Sequence, residues 1–229
     1  MITHLAVVMD GNRRWAQQRG LMPWDGHKAG VGALKKVVEF CSMRAIKYVS
    51  FYTFSLENFK RSADEQFFLF DLLAHELEAS MPMFIEQKAR VRFIGDREKF
   101  PDRVKNVCEL VESSTRDFST IYLNFLFCYG GRQEIIDGVK SLAKALQDGR
   151  LQVNDIHEDL FSKMLWTQDI PDPELIIRTG GAHRLSNFLL YQAAYSEIDF
   201  IDCLWPDITE QHLGEALQRF EQARRNFGK

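Results

Sequence analysis

A few short stretches of this sequence carry residue types that hold anions or metals. The first is Asp10-Gly11-Asn12-Arg13-Arg14-Trp15. Further along come Ser55-Leu56-Glu57-Asn58-Phe59 with Arg61, then Gly130-Gly131-Arg132, then Arg178-Thr179-Gly180-Gly181 with Arg184. Glycine lets a backbone approach a ligand closely, and a helix opening near Asn12 points free N–H groups outward, so the first stretch can hold a diphosphate. Asp10 offers a hard carboxylate for Mg²⁺, which bridges diphosphate oxygens through carboxylate and water ligands. Taken alone, Asp-Gly-Asn reads more readily as a helix-capping turn. Arg14, Arg61, Arg178 and Arg184 shift that balance, because guanidinium forks match phosphate oxygens. His27, in Asp25-Gly26-His27-Lys28, is either a structural histidine or a phosphate contact at a helix opening. Glu197 is either a surface acid or the second carboxylate of a metal site with Asp10. No G-x-x-x-x-G-K-[ST] or G-x-G-x-x-G spelling occurs, which argues against ordinary nucleotide sites.

The elements that must position these residues follow from hydrophobic period. Leu5 to Met9 reads as a buried strand ended by Asp-Gly-Asn, and Tyr48 to Phe54 as a second strand. Further strands are predicted over 90–94, 121–127 and 174–177. Helical spacing appears at Val31, Leu34, Val38 and Cys41, at Val104, Val107 and Val111, at Ile135, Val139, Leu142 and Leu146, and at Leu213, Leu217 and Phe220. Residues 64–87 form a long helix with Phe67, Phe70, Leu73, Leu77, Met81 and Phe84 at helical spacing, widened by Phe68, Leu69 and Leu72. This is more apolar surface than one core-facing side needs. Deep burial, dimer packing or the wall of a greasy channel would each account for it. Strands alternating with helices imply an α/β domain on a mainly parallel sheet, and ligands of such sheets bind at the strand carboxyl ends. Each polar stretch from Asp10 to Gly181 falls just after a predicted strand, so these are expected to meet on one edge.

Composition sets limits. The 229 residues are 45% hydrophobic and 27% charged, enough for a sizeable core in a single domain spanning 1–229. A net charge of −3 argues against nucleic acid as the main partner. Four scattered cysteines suggest neither a zinc cluster nor a disulfide framework, and point to reduced, mostly buried thiols in a cytoplasmic protein. No signal peptide is evident, and no apolar run reaches the roughly 18 residues of a membrane span, so membrane contact is expected to be peripheral at most.

Taken together the motifs resemble the cis-prenyltransferases. The stretch from His4 through Met9-Asp10-Gly11-Asn12-Arg13-Arg14-Trp15 to Ala16 is similar to the opening motif of that family, and Phe54 to Arg61 to its second. Tyr129-Gly130-Gly131-Arg132 is similar to a third, and Arg178 to Gln192 with Leu204-Trp205-Pro206-Asp207 to the last ones. They occur in family order along essentially the whole chain. The resemblance implies a central six-stranded parallel sheet flanked by helices, an elongated hydrophobic tunnel, and a homodimer. It implies Mg²⁺-dependent condensation of isopentenyl diphosphate onto an allylic diphosphate, usually farnesyl diphosphate, in the bacterial case giving undecaprenyl diphosphate for cell-wall synthesis. It makes Asp10 the essential carboxylate and, with Glu197, a metal ligand. Gly11, Asn12, Arg13, Arg14, His27 and Arg61 match the allylic diphosphate site. Trp15 and Phe59 match aromatic positions beside the substrates, and Arg178, Arg184, Leu185 and Ser186 match the isopentenyl diphosphate site. Ser55, Leu56, Glu57 and Asn58 match a loop that closes over the reacting centre. The family scheme gives proton removal to Asn58. A neutral amide is a poor base, so Asn58 is expected to position an acceptor such as diphosphate or water.

The sequence departs from the family pattern in places. Arg13 stands where glycine is usual, Pro23 where an arginine commonly grips phosphate, Phe59 where tryptophan is frequent, and Ala182 where glutamate precedes His-Arg. Arg13 or Arg19 could supply the phosphate grip that Pro23 cannot. The tail Arg225-Asn226-Phe227-Gly228 lacks a common Arg-x-Gly spelling.

Overall fold

The computed structural model describes residues 2–223, and the tail from Arg225 to Gly228 lies outside them. Among the described residues the strands β1 (His4–Val8), β2 (Tyr48–Ser55), β3 (Ala89–Ile94), β4 (Ile121–Tyr129), β5 (Leu175–Arg178) and β6 (Glu197–Phe200) form one sheet, ordered β3-β4-β2-β1-β5-β6. All neighbours run parallel. Parallel strands require crossovers, and helices supply most of them: α1 (Asn12–Gln18) and α2 (Pro23–Met43) after β1, α3 (Ala63–Glu86) after β2, α4 (Asp102–Thr115) after β3, and α5 (Gly131–Gln147) with the short α6 (Glu158–Ser162) after β4. Helix α7 (Glu210–Gln222) closes the described chain.

The sheet is buried on both faces, which is why β1 reads as an unbroken apolar run. Leu5, Val7, Val49, Phe51, Leu123 and Phe125 join one core. Their neighbours Ala6, Val8, Leu126 and Ile176 join the other. Residues two apart on a regular strand share a face. Phe127 and Tyr129 do not: Phe127 stays with the first core and Tyr129 turns to the second. The break is an irregularity at the end of β4, where Cys128 has φ +50° and the register against β2 shifts near Phe54. It aims Phe127 toward α3 while Tyr129 supports the chain that follows β5.

That support is a buried polar network. The Tyr129 hydroxyl donates to Glu134 Oε2 at 2.5 Å, Thr167 N–H and Oγ1 donate to Glu134 Oε1 at 3.0 and 2.9 Å, and Gln192 Nε2 donates to Glu134 Oε2 at 3.0 Å. Both carboxylate oxygens taken out of water are thereby matched.

Five strands and the long helix match the sequence reading. The sixth, β6, is an exception from pattern alone: an edge strand with Glu197 and Asp199 in its four residues lacks an apolar run. Cys41, Cys108 and Cys128 are buried free thiols and Cys203 a half-buried one, as expected. Burial pushes the thiols of Cys41, Cys108 and Cys128 up to about 12.

Candidate active site

Asp10 leaves the end of β1 with every polar atom engaged. Its N–H donates to Thr179 Oγ1 at 3.1 Å, and the Thr179 hydroxyl donates back to the Asp10 carbonyl at 2.7 Å. Trp205 N–H reaches the same carbonyl at 3.0 Å. The carboxylate is shared between two arginines: Arg14 Nη2 donates to Oδ1 at 3.1 Å and Arg178 Nη2 to Oδ2 at 2.8 Å. Arg178 is 4% exposed, and its Nη1 also donates to Ser186 Oγ at 2.8 Å and to the Arg184 carbonyl at 2.5 Å. Arg184 Nε reaches that same Ser186 oxygen at 3.2 Å. The chain end after β1 and the loop after β5 are thus one charged cluster.

Gly11 makes the turn out of β1 with φ +114°, a left-handed conformation, and a Cβ there would sit 2.9 Å from Leu204. The turn starts α1, whose Asn12 lies against Gly30 of α2. A Cβ on Gly30 would come within 2.5 Å of Asn12 Oδ1 and 2.8 Å of the Trp205 ring, so α2 can pass this close only as glycine. Pro23 takes the first turn of α2, where its missing N–H costs nothing, and Met22 N–H donates to Asp25 Oδ2 at 3.0 Å. His27 follows one turn into this helix. Burial, then the charges of Arg61 and Arg13, lower its pKa to about 4. Its Nε2, Asn12 Oδ1 and Arg178 Nε are buried atoms with no hydrogen-bond partner among the described residues. Unpartnered polar atoms of this kind are costly unless a ligand meets them.

The loop after β2 is a 3-10 turn over Leu56–Lys60. Asn58 Oδ1 accepts Ser55 N–H at 3.0 Å, which leaves the amide NH₂ as the group Asn58 can offer a ligand. Glu57 accepts from Asn187 Nδ2 at 2.8 Å. Arg61 pairs with Glu65 at 3.0 Å, and Arg13 approaches Glu65 at 3.7 Å, so one carboxylate balances two cations beside His27.

These groups open onto a cavity of about 420 Å³. Asp10, Asn12, His27, Ser55, Asn58, Arg61, Arg178, Arg184 and Ser186 line its polar end. Most of its body is apolar, with Leu69, Leu73, Leu77 and Phe84 from α3 facing Phe125 and Phe127 from β4, while Ser80 and the paired Lys35 and Glu76 also line it. Helix α3 runs from the strand carboxyl ends back toward the start of β3, and Leu69 to Phe84 spans about 22 Å at the usual helical rise. Only Ala74, Leu77, Ser80 and Phe84 of this helix are buried. Much of its apolar excess therefore faces the cavity, although Phe67 is 74% exposed and serves neither wall nor core.

Several expected site residues sit behind the lining. Gly11, Arg13, Arg14, Leu56, Glu57 and Leu185 shape or brace the wall without lining it. Trp15 points elsewhere: its Nε1 donates to Asp207 at 2.7 Å and Arg19 stacks over its ring at 4.1 Å. That occupies Arg19 and leaves Arg13 as the cation nearer to His27 and Arg61. Phe59 packs edge-on to Phe54, with centroids 5.1 Å apart, rather than lining the cavity. Glu197 does not join Asp10 within this chain. It pairs in register with Leu175, which pairs with Leu5, so it lies at the opposite end of the sheet. Asp10 is five residues further along, about 16 Å away in the strand direction. One ion cannot be held by both carboxylates of a single chain. Among the described residues, no group of three His, Cys, Asp or Glu side chains could hold a metal. The sequence reading singled out neither Thr179 nor Asn187 for a role, although both lie inside the motif running from Arg178 to Gln192; a hydroxyl and an amide beside arginines are the only signal there.

Comparison with known proteins agrees with this geometry. Residues 8–228 match the family described as "Putative undecaprenyl diphosphate synthase". An isoprenyl transferase of Bacillus anthracis is 40% identical over 225 residues, covering 98% of this chain and 87% of that protein. A tritrans,polycis-undecaprenyl-diphosphate synthase (geranylgeranyl-diphosphate specific) of Pyrococcus abyssi is 41% identical over 229 residues, covering 99% and 86%. The crystal structure of lavandulyl diphosphate synthase from Lavandula x intermedia in complex with dimethylallyl diphosphate superposes with a TM-score of 0.96 at 31% identity, covering 99% of this chain and 98% of that one. A parallel sheet with a cationic edge, matched in sequence along nearly its whole length, makes this chain a member of the cis-prenyltransferase family.

Proposed function

We propose that this chain condenses isopentenyl diphosphate units onto farnesyl diphosphate and builds undecaprenyl diphosphate, the lipid-carrier precursor of cell-wall synthesis. The observation that carries the reading is a single cavity with Arg61, Arg178, Arg184 and His27 at one end and leucine and phenylalanine side chains along its body. That is the shape and polarity of a prenyl diphosphate.

In the reaction the allylic C–O bond breaks, a C–C bond forms to the isopentenyl unit, a proton leaves that unit, and diphosphate departs. Negative charge grows on the leaving group, so preorganised cations and N–H donors at the cavity mouth accelerate its departure. Arg61 and His27, which line the cavity, with Arg13 beside them, are grouped to bind the allylic diphosphate. Arg178, Arg184 and Ser186 are grouped to bind the isopentenyl diphosphate. Asn58 is a donor, its oxygen being held by Ser55 N–H. Its amide orients the proton acceptor, and the departing diphosphate is the base within reach of the same cluster.

The donor set fits Mg²⁺: Asp10 would supply one hard carboxylate, and substrate phosphate and water would complete the shell. When bound it neutralises diphosphate charge. Glu197 of the same chain takes no part in that site.

The apolar body acts as the tunnel for the growing tail and excludes water from it. Burying each CH₂ is worth about 0.8 kcal/mol, so affinity rises with each added unit until the cavity is filled. Residues 1–229 act as one catalytic domain in this reading, since one sheet supplies every strand end at the site. Homodimeric assembly and surface-only membrane contact for product release belong to the same reading; no helix among the described residues is long and apolar enough to cross a membrane.

Primer choice is tested by offering dimethylallyl, geranyl, farnesyl and geranylgeranyl diphosphates to the purified protein with isopentenyl diphosphate. The highest kcat/KM is expected with farnesyl diphosphate. A clear preference for the geranylgeranyl primer would overturn that choice.

A further inference from the structure

Asn187 joins three strand ends through one side chain. Its Oδ1 accepts Arg132 N–H at 2.8 Å, and its Nδ2 donates to Glu57 Oε1 at 2.8 Å and to Gln133 Oε1 at 3.1 Å. Its carbonyl accepts Gly131 N–H at 2.8 Å. Asn187 therefore touches the loop after β2, the turn after β4 and, through its own backbone, the loop after β5. Its backbone is left-handed at φ +67°, directly after Ser186 at +53°. Asparagine tolerates that region better than most residues. It does not line the cavity.

What lies on either side of the amide gives it a role. Ser186 is the point where Arg178 and Arg184 meet. Glu57 is adjacent to Asn58, which lines the cavity. Asn187 therefore bridges the loop bearing the arginines and the loop bearing Asn58. The link to Glu57 is exposed, so it contributes little to holding the fold.

We propose that Asn187 is a positioning residue that couples the loop bearing Arg184 and Ser186 to the loop bearing Asn58, so that binding of isopentenyl diphosphate and placement of the Asn58 amide occur together. The inference rests on the function proposed above.

The test is steady-state kinetics of Asn187→Asp, Glu57→Gln and the double variant, with each substrate varied in turn. Asn187→Asp sets a carboxylate against Glu57. It is expected to lower kcat by about tenfold and raise KM for isopentenyl diphosphate, with KM for the allylic substrate changing by less than about twofold. In the double variant the amide introduced at position 57 can donate to the carboxylate introduced at position 187, and most of the rate returns. Glu57→Ala, at an exposed position, removes the same hydrogen bond should Asn187→Asp fail to fold, and is expected to reproduce the KM split. Equal changes in both KM values, a near-wild-type Asn187→Asp, or a double variant no better than Asn187→Asp would each overturn the coupling. A wild-type protein without prenyl transfer would instead count against the proposed function, which keeps the two failures distinct.

Discussion

Arg178 holds Asp10 across 2.8 Å, joining the ends of β5 and β1 through a guanidinium whose side chain is 5% exposed. Arg14 takes the other carboxylate oxygen. Asp10 therefore has two duties that compete: it is the counter-ion of a buried arginine and, in the proposed reaction, a metal ligand. In the proposed reaction a diphosphate at the mouth competes with Asp10 for these guanidinium groups.

Asp10→Asn is expected to fold, since an amide oxygen can still accept from Arg178, yet to lose about a hundredfold or more in kcat. Asp10→Ala is expected to lose turnover similarly and also to melt at a lower temperature. Stranding one member of a buried pair costs up to about 3–5 kcal/mol, and less here because Asp10 is partly exposed. Steady-state rates and thermal melts check both, and a near-wild-type rate in Asp10→Asn contradicts the role given to the carboxylate.

His27 gives a pH signature. Burial, with Arg61 and Arg13, lowers its pKa from 6.5 to about 4, so it is neutral at pH 7 in the free protein. Between those values the unfolded chain binds a proton that the folded chain refuses, so stability falls as pH drops from about 6.5 toward 4. His4, buried between the Pro171 carbonyl and Ser50, is lowered to about 4 by burial and adds to the same loss. Histidine NMR titration is expected to place the His27 midpoint near 4, and inorganic diphosphate is expected to raise it by favouring the imidazolium. A midpoint unmoved by diphosphate contradicts a phosphate contact at His27.

The convergence of Asp10, Ser55 and Arg178 was legible because each follows an apolar run, and parallel strands must share their carboxyl ends. The apolar excess of residues 64–87 was legible from period alone, but which surface it meets was not: burial, dimer packing and a channel wall all fit the same spacing. The phase of Phe127 against Tyr129 was not legible, since an irregularity at Cys128 breaks the two-residue alternation. Nor was the place of Glu197, whose four-residue edge strand carries no apolar run and whose position along the sheet depends on register. Trp15 looked like a substrate contact by motif, and only the bond to Asp207 shows which way its ring faces.

Phe125 and Phe127 both line the cavity, so in the proposed reaction side-chain volume there limits how much tail it holds. Phe125→Ala is expected to lengthen the product while costing about 3–5 kcal/mol of stability. Leu77→Phe is expected to shorten it. Chromatography of the extracted polyprenols against chain-length standards reads both outcomes, and an unchanged distribution in both variants contradicts the assignment of the wall.

Gly30→Ala tests the approach of α2 to Asn12. The added methyl meets Asn12 Oδ1 at 2.5 Å and the Trp205 ring at 2.8 Å, so the Asn12 side chain and that ring must give way. Lower stability by about 1–3 kcal/mol and a raised KM for the allylic substrate are expected. Wild-type values of both quantities contradict the packing argument.

The central claim is prenyl transfer at the Asp10–Arg178 cluster. The most direct measurement incubates the purified wild-type protein and Asp10→Asn with Mg²⁺, farnesyl diphosphate and labelled isopentenyl diphosphate, and partitions the label into butanol. Label passing into a long extractable lipid with the wild type, and remaining aqueous with Asp10→Asn, is the predicted result. Phosphate release without labelled lipid, across all allylic primers, would contradict it.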